Sequence, residues 1–215
     1  MSVFIKAEAG LNNSVIYTDD TGKRFLFSGG TRAWRNHNPG NMRPGSVSRK
    51  HNQIGEVKVT HGKFAVFPDK QSGHDALIDL LHTVYGDKSI DATISKFAPK
   101  SENDTQKYKK FVRDKIGVKE NKKVKELTAL QFEKLWKAIE QYESYKAGKI
   151  TELYEIREVH KKEGSIFEYY IAPLGWVSKQ KCLQLAKKNH LDVVVCSSPS
   201  GNYIRSRPGK SLANH

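Results

Sequence analysis

Two carboxylates near the start of the chain have the side-chain type that general acid and base catalysis requires: Glu8 in Phe4-Ile-Lys-Ala-Glu8-Ala-Gly10, and Asp19 in Tyr17-Thr-Asp19-Asp20-Thr-Gly22. Read as a short amphipathic helix, Phe4 to Gly10 ends on Glu8, where the negative pole of the helix dipole and an apolar wall raise a carboxyl pKa toward proton donation. A hairpin through Asp19 to Gly22 then faces it with a second carboxylate. Glycoside hydrolysis uses such a pair at separations of about 5 to 9.5 Å. On spacing alone the pattern is weak, because a glutamate near a helix end is usually solvated and Asp-Asp-Thr-Gly is an ordinary turn.

A second constellation is denser. Asn36, Asn38 and Asn41 surround Pro39-Gly40 in Trp34-Arg-Asn36-His-Asn38-Pro-Gly-Asn41. Amide side chains on a rigid turn suit the acetamido and hydroxyl groups of an amino sugar, although such a turn can equally be capped by its own side chains. Trp34 is a candidate for stacking on a sugar face. In Ala98-Pro-Lys-Ser-Glu102-Asn103-Asp104-Thr105-Gln-Lys-Tyr108, Glu102 is a rival acid, with Asn103, Thr105 and Tyr108 beside it at the mouth of a cleft. Glu56 is a third candidate. The histidines at 37, 51, 61, 74 and 82 have no ligand spacing of the His-Glu-x-x-His kind, so neither a metal nor another cofactor is expected.

The elements that must position these groups fall in three stretches. Residues 1–70 read as loops and hairpins, with strands at 15–18, 24–27, 57–60 and 64–67. From residue 72, apolar residues at helical spacing (Ala76, Leu77, Leu80, Leu81, Val84) predict a helix of about four turns. Further helices are predicted over 89–97, from about 102 to 117 with Ser101 as N-cap, and from the Thr128-Ala-Leu-Gln131 capping box to about residue 146. Beyond Gly148 the pattern is ββαββ, with strands at 154–160, 166–171, 192–197 and 202–207 and a helix at 178–190.

Composition narrows the classes. The 215 residues carry 37 Lys+Arg against 23 Asp+Glu, a formal charge of +14, which points to an anionic partner. Of that charge +10 lies in residues 1–150, which hold 27 basic and 17 acidic side chains. A 37% hydrophobic content excludes a disordered basic tail. No stretch approaches the roughly 20 apolar residues of a membrane span, and no export leader is evident at the start. Cys182 and Cys196 lack metal-ligand spacing and read as buried thiols.

The motifs carry family resemblances. Glu8-x-Gly10 followed by Tyr17-x-Asp19 is similar to the start of the T-even phage type of lysozyme, which implies Glu8 as acid and Asp19 as second carboxylate. Over residues 17–145, the Asn-rich turn, Gly62-Lys-Phe-Ala-Val-Phe67-Pro-Asp-Lys-Gln-Ser-Gly73 and the Glu102 to Tyr108 stretch resemble virion-associated lysins and toxin domains related to the lytic enzyme of enveloped double-stranded-RNA phages. His37 stands where that pattern has asparagine. Together these resemblances imply an α+β protein with two parts. Residues 1–148 would form a mainly helical, lysozyme-like domain with an N-terminal hairpin and loop region. Residues 152–215, whose Tyr203-Ile-Arg-Ser-Arg-Pro-Gly209 tail resembles a small bacterial domain of unknown function, would form a ββαββ wall-binding or docking unit.

The activity implied is cleavage of the bond between N-acetylmuramic acid and N-acetylglucosamine, by hydrolysis or by attack of the muramic 6-hydroxyl as in lytic transglycosylases. The partner is bacterial peptidoglycan, reached from the cytoplasm by phage or secretion-system delivery. An immunity protein and a secretion or virion component are further partners of that reading. A peptide-bridge endopeptidase or amidase is an alternative. Nucleic-acid binding is the second reading, from a different class, and ranks below the glycosidase because Lys and Arg are spread without a binding motif.

Overall fold

The computed structural model describes residues 3–60, 62–97, 104–118, 120–199 and 201–212. A four-stranded antiparallel sheet organises the chain, in the order β1 (Phe4–Ala9), β2 (Val15–Asp19), β3 (Arg24–Ser28), β6 (Lys149–Leu153). Two short helices follow β3, α1 (Arg32–Arg35) and α2 (Ser46–Lys50), and then the hairpin of β4 (Gly55–Val59) and β5 (Gly62–Val66). The helices α3 (Lys70–Thr83), α4 (Ile90–Phe97), α5 (Thr105–Ile116) and α6 (Ala129–Glu143) come next. After β6 the chain forms a three-stranded sheet of β7 (Glu155–Lys162), β8 (Ser165–Ala172) and β9 (Gly175–Ser178), the helix α7 (Lys179–Lys187), and the hairpin of β10 (Val193–Ser198) and β11 (Gly201–Ser206).

This corrects the expectation of a mainly helical, lysozyme-like domain with a small ββαββ appendage. Helix and strand occur in nearly equal measure, about 35% and 33%, and the strands form four separate antiparallel sheets. One source of the error is Phe4 to Ala9. Its Lys-Ala-Glu-Ala run suits a helix, but the segment pairs antiparallel with β2, Ala7 opposite Tyr17 and Glu8 opposite Ile16. Tertiary pairing overrides local propensity here.

Strand β2 lies inside its sheet, and Val15, Ile16 and Tyr17 are all fully buried. The alternation explains how both faces are covered. On one side Val15, Tyr17 and Phe27 pack with Ala7, Trp34, Val57 and Val66. On the other, the cross-strand row Glu8, Ile16, Leu26, Thr151 turns toward the C-terminal elements, where Leu26 shares a cavity of about 630 Å³ with Leu153, Ala186 and Leu191.

The Gly29-Gly30-Thr31 segment seats the chain that returns from α6. A Cβ on Gly30 would lie 2.6 Å from both Gly148 N and Lys146 O, so only glycine permits the approach. Thr31 N donates to Lys146 O (3.0 Å), and Arg35 Nη1 donates to the Gly29 and Gly30 carbonyls.

The helices build the largest core, from Leu77, Leu81, Ile90, Ile94, Tyr108, Val112, Ile116, Leu135 and Ile139. Helix α6 starts at the expected Thr128 to Gln131 capping box, and α5 stops at Gly117, which is left-handed at φ 77°. Asp104 caps α5, its carboxylate accepting from Lys107 N at 3.1 Å. Among the described residues no helix is long and apolar enough to cross a membrane.

Candidate functional site

The Asn-rich turn is positioned from three sides. Pro39 and Gly40 are buried, Gly40 against Leu77 of α3. A Cβ on Gly73 would meet the His37 carbonyl oxygen at 2.0 Å, so the start of α3 lies directly on the turn. The Asn36 carbonyl accepts from Phe67 N (3.0 Å), which fixes the end of the β4–β5 hairpin to it.

The three asparagines have three different roles. Asn38 is fully buried and structural. Its amide donates to the Met42 and Ala65 carbonyls, and its oxygen accepts from Met42 N, each at 2.9 Å. Asn36 is buried too, and its Nδ2 has no hydrogen-bond partner among the described residues. Asn41 alone reaches the acid-bearing helix. Its φ of 46° is a conformation that asparagine tolerates, and its Nδ2 donates to Glu143 Oε2 at 2.7 Å.

Glu143 is the last residue of α6 and was not singled out in the sequence. The next residue, Ser144, has φ 59° and ψ 134°, a strained backbone for a residue with a side chain. Tyr108 of α5 lies beside the carboxylate. Burial raises the Tyr108 phenol well above its ordinary pKa, and the Glu143 charge raises it further. The Tyr108 ring stacks on Tyr142 with 3.6 Å between centroids. One helical turn before Glu143, Glu140 is paired with His74 Nδ1 of α3 at 2.7 Å, and His74 packs edge-on against Trp136. Residues three apart on a helix put their Cβ atoms about 5–6 Å from each other, so α6 presents two half-buried carboxylates on one face. Tyr145 follows, its phenol raised by burial and then by Glu140 and Asp69, with Lys70 Nζ 4.8 Å from its ring centroid.

Asn41 also lines a cavity of about 280 Å³, together with Arg43, Ser48, Leu80, Tyr85, Lys96 and Phe97. The turn, α3 and the end of α6 therefore bring together a paired carboxylate, a histidine, an amide and buried phenols. Of these groups Asn41 lines the cavity, and the carboxylates held by its amide and by His74 are of the type that can exchange a proton.

The other expected site residues stand elsewhere. Glu8 is on a strand, not at a helix end, and its carboxylate meets Arg24 Nη2 (3.0 Å), Lys210 Nζ (3.1 Å) and Arg207 Nη2 (3.5 Å). Burial pushes its pKa up, but Lys210, Arg24 and Arg207 together outweigh this and hold it below the usual carboxylate range, the opposite of what a proton donor needs. Asp19 is buried and closes its own turn, its Oδ1 accepting from Thr21 N, Thr21 Oγ1 and Lys23 N. Asp19 and Glu8 do not face each other, since Asp19 pairs with Phe4 and Glu8 with Ile16.

Trp34 is a core residue, 5.1 Å from Phe27 between ring centroids, and is not placed for stacking on a sugar. Thr105 is buried at the start of α5, one turn before Tyr108. Glu56 is bound by Lys63 Nζ at 2.7 Å. Glu102 and Asn103 lie outside the described residues. His37 sits among Phe4, Tyr17 and Phe27, and burial lowers its pKa against the opposing pull of the Phe67 and Pro68 carbonyls.

The chain matches no known family model. It is 33% identical over 100 residues to Protein P5 of Pseudoalteromonas phage PM2. The match covers 45% of this chain and 62% of that protein.

Proposed function

We propose that the chain is a glycosidase that cuts the glycan strands of bacterial peptidoglycan between N-acetylmuramic acid and N-acetylglucosamine, with Glu143 as the proton donor. The observation that carries this is the 2.7 Å contact from Asn41 Nδ2 to Glu143 Oε2, which ties the amide-bearing turn to a carboxylate at the C-terminal end of a helix. The Asn41 amide orients that carboxylate, and the buried Tyr108 lies beside it.

In this reading the glycosidic oxygen takes the proton of Glu143 and the bond to C1 breaks. The cationic C1 is then captured either by water or by the muramic 6-hydroxyl, which gives its proton back to the carboxylate. Glu140, held by His74, is the second carboxylate of the site. The similarity to a phage protein fits delivery to the wall by a virion or lysis route, and an antibacterial effector would need the same chemistry.

The test is digestion of purified sacculi followed by mass spectrometry of the products. Glu143→Gln, Glu140→Gln, Glu102→Gln and Glu8→Gln are compared with the wild type. Loss of products in Glu143→Gln, with Glu8→Gln active, is the expected result. Full activity in Glu143→Gln, or products with cut peptide stems and intact glycan, would sink the proposal. Anhydro ends identify attack by the 6-hydroxyl, and reducing muramic ends identify water.

A further inference from the structure

The sheet of β7, β8 and β9 is buried on one face only. Tyr169, Ile171, Ile156 and Val177 turn inward to Cys182 and Leu185 of α7. Strand alternation sends their neighbours outward in two cross-strand rows. One row is Glu158, Tyr170, Trp176 and the next is His160, Glu168, Ser178.

The side chains form a continuous aromatic surface. His160 stacks on Trp176 with 3.7 Å between centroids, Tyr170 meets Trp176 edge-on at 5.6 Å, and Phe167 stacks against His160 at 6.0 Å. Large apolar rings on this face remain in solvent, Trp176 at 40% and Phe167 at 46% exposure. A contiguous exposed aromatic patch marks a binding surface.

The charge on the face selects the partner. Both rows contain a carboxylate, Glu158 and Glu168, with Glu168 Oε2 3.3 Å from His160 Nδ1, while the cations at the margin are Arg157, which pairs with Glu155, and Lys162. Carboxylates at the centre of the aromatic surface work against a phosphate backbone there, although the chain as a whole is basic. A neutral sugar is not. The axial C–H groups of a pyranose ring carry slight positive charge and pack on the negative face of an aromatic ring, and its hydroxyls donate to carboxylates.

We infer that the outer face of the β7–β8–β9 sheet, centred on Trp176, is a second carbohydrate site that holds a glycan strand by ring stacking. It deepens the proposed function, since the polymer cut at Glu143 would be held here, and it rests on that reading for the natural substrate only.

The test is binding of the full chain to soluble β-1,4-linked N-acetylglucosamine oligomers, with single-stranded DNA as a second probe and sedimentation velocity as a check for self-association. Binding of the uncharged oligomers should be insensitive to salt. Trp176→Ala and Phe167→Ala should each weaken it about tenfold, the order expected for loss of one stacking ring, while Trp176→Phe restores most of it. Glu158→Ala, which leaves the rings in place, should weaken it less. Unchanged oligomer binding in Trp176→Ala overturns the inference, as do Trp176-dependent binding of DNA and a Trp176-dependent dimer. A chain that binds oligomers through Trp176 but releases nothing from sacculi would retain this site and lose the catalytic proposal.

Discussion

Asn41 Nδ2 and Glu143 Oε2 lie 2.7 Å apart although 102 residues separate them in the chain. The contact joins a loop whose backbone is held left-handed to the end of a helix whose next residue is also at positive φ. Asn41→Ala removes the donor and places alanine at φ 46°, which L side chains enter at a cost of about 1 kcal/mol. We expect Asn41→Ala to lower sacculus digestion by roughly 10- to 100-fold, less than the about 10²- to 10⁴-fold carried by a proton donor itself, with only a few degrees lost in thermal unfolding. Asn41→Gly, which relieves the backbone but not the missing amide, should recover the stability and leave the activity low. Recovery of activity in Asn41→Gly would refute the role given to the amide.

Asn38 should behave in the opposite way. Its side chain closes three buried hydrogen bonds with Met42 and Ala65 and has no solvent-exposed surface. Asn38→Ala strands the buried Met42 N–H and removes a donor from the Ala65 and Met42 carbonyls, of which Met42 O keeps its bond from Ala65 N; at about 1–3 kcal/mol per group left without a partner, the loss in chemical denaturation should reach about 3 kcal/mol. Asn38→Asp should be no better, because it aims a carboxylate oxygen at carbonyl oxygens. A folded, stable Asn38→Ala with altered sugar binding would restore the ligand role first expected of this residue.

These two neighbours show what the sequence reveals and what it hides. Alternation and apolar periodicity located β2 to β5 and α3, and the Thr128 capping box located the start of α6, because those signals are local. The Asn-rich turn was legible as a rigid amide cluster. Which amide is structural and which lines the cavity was not, since it depends on where Ala65 and Glu143 arrive from distant parts of the chain. Glu143 itself reads as the frayed end of a helix. Its only local signal is the spacing of three from Glu140, which any solvated helix face can show. Glu8 misled for the same reason, since nothing near it in sequence announces Arg207 and Lys210.

Gly73 gives a steric test of the packing that holds the turn on α3. Gly73→Ala puts a methyl group 2.0 Å from the His37 carbonyl oxygen, and backbone must shift to admit it. Overpacking of this kind costs about 1–3 kcal/mol, and the shift would move His74 and the turn apart. Reduced denaturation midpoint together with reduced digestion is expected. Gly45→Ala is the stability control, with no atom within 4 Å of the added carbon and an extended backbone, and should leave the denaturation midpoint unchanged.

The two cysteines offer a chemical readout of the C-terminal core. Both are free thiols, but Cys182 is fully buried beneath the β7–β8–β9 sheet and burial pushes its pKa up to about 12. The thiolate is the reactive form, so native protein near pH 8 should react with a thiol reagent at Cys196 and not at Cys182. Denaturant should release the second thiol. Two fast equivalents in native protein would contradict the packing of α7 on the sheet.

Glu8 joins the first sheet to the C-terminal segment through Arg24, Arg207 and Lys210, and Asp192 completes the cluster with Arg24 at 2.8 Å and Arg207 Nε at 2.8 Å. Because the folded pKa of Glu8 lies below its ordinary value of 4.5, the unfolded chain takes up its proton first as the pH falls. The stabilisation is therefore complete at pH values above about 4.5 and is lost as acid carries the folded carboxylate through its own lower pKa. Glu8→Gln should be less stable than wild type at neutral pH, and the gap in denaturation midpoint should close as the pH drops below 4.5. Salt should narrow the gap too, since Lys210 and Arg24 are partly exposed. A gap that widens in acid would mean that Glu8 is held protonated in the fold, which is the state a general acid requires, and would return it to the list of catalytic candidates.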